Sequence, residues 1–466
     1  MRRLKWLFIS VVLIGLVASC APPTPKVVKE TVVVTKPVEV TKIVEVTKVV
    51  EKPVVVTPTP APPKIRIVMG DKLRPPSVEK AVEMVKKKHP DWEIEIETPP
   101  DAEMVFLASM AAGKGPDIYH IDTFKVPDTA EAGYLMDLTP FLEKWPDWAQ
   151  YPDSMKGIVT YKGKTYAVVW DTDVRLLYYR KDLFEKAGIP LPWQPKSWDD
   201  ILDAARKLKA AGVEYPLLHQ SGRNWDEGTT MQSWFPLLWG AGGKLYNWEE
   251  GKWVVTSKEH LDVLKYYRTI YEEGLAPPEM ATEPKPWDIA YTRFVEGTSA
   301  ILMDGSWVWG ECFAEGRTYE IPDREKVVGL AVFPGKEAGF SSAAGGWSWA
   351  ITSQARNPEA AFEVLSTICS KEVTTDFCVV SAHVAPRMDV AEEPAYKADP
   401  FLAWCVKEVL PYAKYRPTIP PYPKISLQVQ LMVERVASLE MTPEEALAKF
   451  ADAVEMLVGK ENTIRE

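Results

Sequence analysis

A two-lobed α/β fold is what the sequence predicts for residues 64–466, and three observations predict it. The first is length: about 400 residues follow residue 63, more than one hydrophobic core usually organises. The second is the opening pattern, in which apolar runs of strand period alternate with stretches of helical period. The third is order, since strand–helix–strand–helix–strand argues for a mainly parallel sheet covered by helices. In such sheets ligands bind at the carboxyl ends of strands.

Residues 1–20, MRRLKWLFISVVLIGLVASC, open with Arg2, Arg3 and Lys5 and continue through an apolar run from Trp6 to Val17. That run suits a secretory signal peptide and falls short of the roughly 20 apolar residues of a permanent membrane helix. Val17-Ala18-Ser19-Cys20 resembles the bacterial lipoprotein cleavage box, which implies cleavage before Cys20 and lipidation of its thiol. Residues 21–63 read as an extended tether. Val-Glu-Val-Thr-Lys occurs at Val38–Lys42 and again at Val44–Lys48, with proline at both ends of the segment and no aromatic residue. Such a segment builds no mixed core, and fully stretched it reaches at most about 150 Å.

The folded part begins with a β-branched run at Ile65–Met69. Ser77 is placed to cap a helix with apolar positions Val78, Ala81, Val82 and Val85, which must stop near His89-Pro90. Trp92–Ile96 alternates with period two, Asp101 opens a second helix ended near Gly113, and Pro116–Ile121 reads as a third strand. Asp122 and Thr123 then fall at one strand end, Gly70 and Asp71 at another. Further on, Ser197 caps a helix with Asp200 positioned to reach back, and Gly212 ends it. Thr442-Pro443-Glu444-Glu445 spells a capping box before a last amphipathic helix.

Charge and motifs exclude several function classes. The chain carries a net charge of −10, and its first 63 residues are basic, so the folded part is more acidic still. An acidic domain without a Lys/Arg cluster does not bind nucleic acid through phosphates. The sequence lacks H-E-x-x-H, G-x-S-x-G and a P-loop, and five scattered histidines make no metal set, so no metal or cofactor is expected. Beyond Cys20, the cysteines Cys312, Cys369, Cys378 and Cys405 leave two disulfides or buried thiols equally open. The unusual quantity is aromatic: 18 Trp and 18 Tyr, with several Trp beside Gly, Asp or Ser near element ends. An indole offers a flat apolar face that suits the C–H face of a sugar ring, and neighbouring carboxylates and amides take up its hydroxyls.

The order of motifs resembles the family 1 extracellular solute-binding proteins of ABC importers, the group containing maltodextrin-binding protein. The matching segments are Gly115–Ile118, Tyr161–Ile189 (YKGKTYAVVWDTDVRLLYYRKDLFEKAGI), Ser197–Asp200, Phe235–Gly243, Phe294–Trp307, Gly345–Trp347 and Asn357–Ala361. Val169 stands where the family usually has proline. The resemblance implies a periplasmic-binding-protein-like fold with a central cleft and hinge crossovers. It implies one lobe of about 64–171 plus 344–395 and another of about 172–343 plus 396–466. It further implies a monomer that captures a solute without bond breaking, closes by a hinge and serves ABC permease subunits from the outer side of a membrane, either in the periplasm or at the cell surface. Carried onto this chain, Trp307 matches the sugar-stacking aromatic, Asp173 or its competitor Asp171 the crossover carboxylate, and Gln232 a cleft-facing helix start. Asp122, Trp170, Trp239, Trp347 and Arg387 complete the expected contacts. The favoured solute is a mono- or oligosaccharide. The alternatives are a polyol phosphate, an exported glycosidase using Asp122 and Asp173 as its carboxylate pair, and a lipid-anchored adhesin.

Overall fold

The computed structural model describes residues 61–70 and 75–466. The expectations for the signal peptide, Cys20, most of the tether and Asp71 lie outside the described residues. No helix among the described residues is long and apolar enough to cross a membrane.

Two sheets organise residues 63–466, which form one compact unit. The first has the order Glu93–Glu97, Lys64–Val68, Ile118–Asp122, Trp347–Ile351, Val168–Val169. Its three N-terminal strands are the three that the periodicity predicts, and they pair in parallel. The other two pair antiparallel, so the sheet is mixed where the sequence suggested a mainly parallel one. These strands come from distant parts of the chain, and local periodicity carries no information about their direction. The second sheet runs Ala413–Tyr415, Ser342–Gly345, Asp173–Arg180, Ile301–Gly305, Leu217–Leu218, with Val328–Ala331 also paired to Asp173–Arg180. It too is mixed.

The helices start where capping chemistry puts them, with two adjustments. Asp101 accepts the Met104 N–H at 3.0 Å and opens Ala102–Ala111. Thr442 and Glu445 form the full capping box of Pro443–Val458. The first helix begins at Pro75, so Ser77 lies inside its first turn and is not its cap; a proline fits there because its missing N–H would have no partner in any case. Ser197 caps Trp198–Ala210, but the Asp200 carboxylate accepts the Lys196 N–H at 2.7 Å, one residue further back than expected. The apolar stripes close the core: Val78, Ala81 and Val85 are fully buried against the first sheet's residues, and Ile201, Ala205 and Leu208 against the second's. Cys312, Cys369, Cys378 and Cys405 are all buried thiols.

The chain passes between the sheets at adjacent points. Val169 ends a strand of the first sheet and Asp173 begins the second, while Gly345 ends a strand of the second and Trp347 begins the first. Ala344 and Gly345, read from the resemblance as part of the first lobe, pair with Val174 and Asp173 in the second sheet, which puts the return crossing at Gly346. Thr172 also exchanges two backbone hydrogen bonds with Val384, at 3.2 and 2.9 Å. Gly346 has φ +130°, and a Cβ on it would lie 2.1 Å from the Asp171 carbonyl oxygen. Only glycine allows the two crossings to touch. Gly346→Ala should therefore cost at least about 2 kcal/mol, read as a thermal midpoint lowered by several degrees; an unchanged midpoint would show that the crossings tolerate separation.

Candidate functional site

A cavity of about 690 Å³ opens beside these crossings, and both sheets supply its walls. The first sheet contributes Asp122, at the end of Ile118–Asp122, and Trp347, at the start of the strand paired with it. The second contributes Asp173 and Arg175 from one strand, where the two-residue period puts both side chains on one face. Trp307 follows the strand Ile301–Gly305 directly. Gln232 comes from Thr229–Trp234, a π-helical turn of the kind that often re-aims side chains at sites.

Buried arginines organise the polar lining. Arg416 pairs with Asp122 and, at 3.3 Å, with Glu227, and its guanidinium lies 4.3 Å from the centre of the Phe124 ring. Glu227 is further held by the Tyr422 hydroxyl and by Ser426, whose hydroxyl donates at 2.5 Å. Burial pushes the carboxyls of Asp122 and Glu227 up from their ordinary range, and the Arg416 charge pulls them part of the way back. Arg175 pairs with Asp173, donates to the Gln232 side-chain oxygen at 2.5 Å and lies 5.0 Å from the centre of the Trp307 ring. Asp173 also accepts the Gly345 N–H at 2.8 Å. Three residues before Trp307, Asp304 accepts from Tyr291 and Gln220 at 3.2 and 3.3 Å, and burial pushes its carboxyl up to about 7. Among the described residues no cluster of His, Cys, Asp and Glu could hold a metal ion.

Five of the nine expected contacts line the cavity: Trp307, Asp173, Gln232, Asp122 and Trp347. The other four lie off it, each for a packing reason. Trp170 is fully buried, stacked on Phe377 at 4.0 Å. Trp239 stacks on Phe235 at 4.4 Å, beside the core of the second sheet. Asp171 is spent inside the crossing, where it accepts the Trp347 N–H at 3.0 Å. Arg387 is buried between Asp389 and Asp147, at 2.7 and 3.0 Å. Sequence reasoning missed Arg175, Arg416, Glu227, Glu311, Trp225 and Trp287, which also line the cavity. Arg175 was within reach, because it sits two residues from Asp173 in an obvious strand. Arg416 follows a three-residue strand and carries no local signal.

Comparison with known proteins agrees with this architecture. The model of the bacterial extracellular solute-binding protein family matches residues 74–375. The chain therefore belongs to that family. Maltose-bound T. maritima MalE3 superposes with a TM-score of 0.75 at 26% identity, covering 85% of this chain and all of the other. An ABC transporter solute-binding protein from Thermotoga lettingae, bound to α-D-tagatose, does so at 0.74 and 30% identity, with the same coverage. The lactose-binding protein of Rhizobium radiobacter is 24% identical over 309 residues, 64% of this chain and 68% of that protein. The fold is accordingly the two-lobed one that the sequence predicts.

Arg416→Met would leave two buried carboxylates facing each other without their shared cation. Removing one partner of a buried ion pair costs about 3–5 kcal/mol. Without the cation both folded-state pKa values rise further above their unfolded values. The folded state then holds protons that the unfolded state has released, so stability is lost as pH rises and recovered as it falls. The thermal midpoint of the variant should accordingly gain on that of the parent between pH 8 and pH 5. A constant difference across that range would contradict the pairing.

Proposed function

We propose that this protein is the lipid-anchored receptor of an ABC importer, which captures an extracytoplasmic carbohydrate between its lobes and delivers it to a membrane permease. The observation that carries the carbohydrate reading is the lining: Trp287, Trp307 and Trp347 are each half-buried at the cavity, among arginines and carboxylates able to bond hydroxyls. Family relatives that bind maltose, tagatose and lactose support it. Closure by a hinge follows from the crossings: they are short and adjacent, and a ligand touching both sheets favours the state in which they approach. Capture without hydrolysis is the better reading of the two candidate carboxylates, because Asp122 and Asp173 are each committed to an arginine. The cleavage box and the repeat-bearing segment after it support an anchor at Cys20 and a tether to about residue 63.

A thermal-shift screen of the purified chain against sugars and polyol phosphates tests the capture reading. A ligand at about 100 times its Kd stabilises by roughly 2.7 kcal/mol, and Trp307→Ala should abolish the shift while the sugar is recovered unchanged. Release of smaller sugars would favour the glycosidase instead. Cell fractionation tests the anchor: Cys20→Ser should move the protein from the membrane to the soluble exported fraction, and retention on the membrane would contradict lipidation there.

A further inference from the structure

Among the described residues, five that are not glycine have positive φ: Lys162, Asp226, Asp323, Ala382 and Leu439. Asp323 and Ala382, with ψ of 40° and 39°, sit in the ordinary left-handed region. Asp226 does not. Its φ of +54° and ψ of −139° lie close to the first central position of a type II′ turn, a combination that glycine dominates because a Cβ crowds the backbone there. Asp226 is also the one residue of these five that lines the cavity. Backbone strain of this kind persists only where the surroundings over-determine it, and it collects at functional sites.

The surroundings of Asp226 are pinned on both sides. Before it, the buried Trp225 indole N–H donates to the Met280 carbonyl at 2.6 Å. The Asn224 side chain donates to the carbonyls of Thr282 and Glu283, both at 2.9 Å. After it, Glu227 is held by Arg416, Tyr422 and Ser426. A Cβ on Gly228 would lie 2.5 Å from the Trp287 ring, so the chain has no room to shift that way. These contacts explain the backbone path but not the side chain, since glycine would follow the same path without strain. Nothing inside the protein uses the Asp226 carboxylate either. It is exposed, and among the described residues no hydrogen bond or ion pair holds it. The other carboxylates of the lining are engaged: Glu103 by Lys125, Asp173 by Arg175, Asp122 and Glu227 by Arg416, while Glu311 lies 3.8 Å from His383.

We infer that Asp226 is a solute-contact residue, kept at a strained position so that its unpartnered carboxylate accepts hydrogen bonds from solute hydroxyls at the rim of the cavity. This rests on the carbohydrate reading above. Two variants separate strain from contact: Asp226→Ala removes the carboxylate and keeps the Cβ, while Asp226→Gly removes both. Glycine ordinarily lowers stability relative to alanine, because it loses more freedom on folding. Here the glycine variant should melt about 1–3 °C above the alanine variant. Isothermal titration of the full chain with maltose, lactose and tagatose should show both variants binding about tenfold or more weakly than the parent to whichever of these the parent binds. A glycine variant that melts below the alanine variant would overturn the inference, because the position would then carry no strain. Either variant binding as tightly as the parent would overturn the contact and leave the carbohydrate reading standing. Failure of all three sugars to bind the parent would overturn both.

Discussion

The buried guanidinium of Arg416 is the interaction on which the cavity depends. It is 3–4% exposed and yet fully charged, a state that costs heavily unless hydrogen bonds and opposite charge surround it. Asp122 supplies one carboxylate from the end of a strand in the first sheet, and Glu227 supplies the other from the helical residues that lead into the π-helical turn Thr229–Trp234. The Phe124 ring covers the guanidinium face. Arg416 can reach all of these because Ala413–Tyr415 pairs with Ser342–Gly345 and brings the chain to the crossings. One side chain thus ties the two sheets together at the point where they adjoin the cavity.

The remaining polar lining follows from the same economy. Strand Asp173–Arg180 starts at a crossing, so its first residues cannot all be spent on the sheet, and Asp173 and Arg175 turn to each other and to Gln232. Glycine at 346 lets the second crossing lie against the first. The result is a site whose charged groups are pre-paired and pre-oriented. Groups already held in place lose little freedom when a ligand arrives.

Much of the fold was legible because it is local. The first three strands, the caps at Asp101, Ser197 and Thr442, and the end of the first helix before His89-Pro90 all follow from short-range chemistry. What was not legible is long-range. The antiparallel insertion of Trp347–Ile351 between Ile118–Asp122 and Val168–Val169 joins residues some two hundred positions apart. Trp170 and Asp171 sit in the motif that the sequence marked as the crossing, but packing turns the indole into the core and the crossing consumes the carboxylate. Arg387 looked like a cleft cation and is an internal ion-pair partner instead. A sequence records which residues are unusual; which way each one faces is decided by contacts from elsewhere in the chain.

The proposed capture requires ligand binding to draw the two lobes together about the crossings at residues 170–172 and 346. Small-angle X-ray scattering of the full chain, with and without a saturating saccharide shown to bind by titration, measures this directly. The account predicts a smaller radius of gyration in the bound state. An unchanged radius with the sugar demonstrably bound would contradict it.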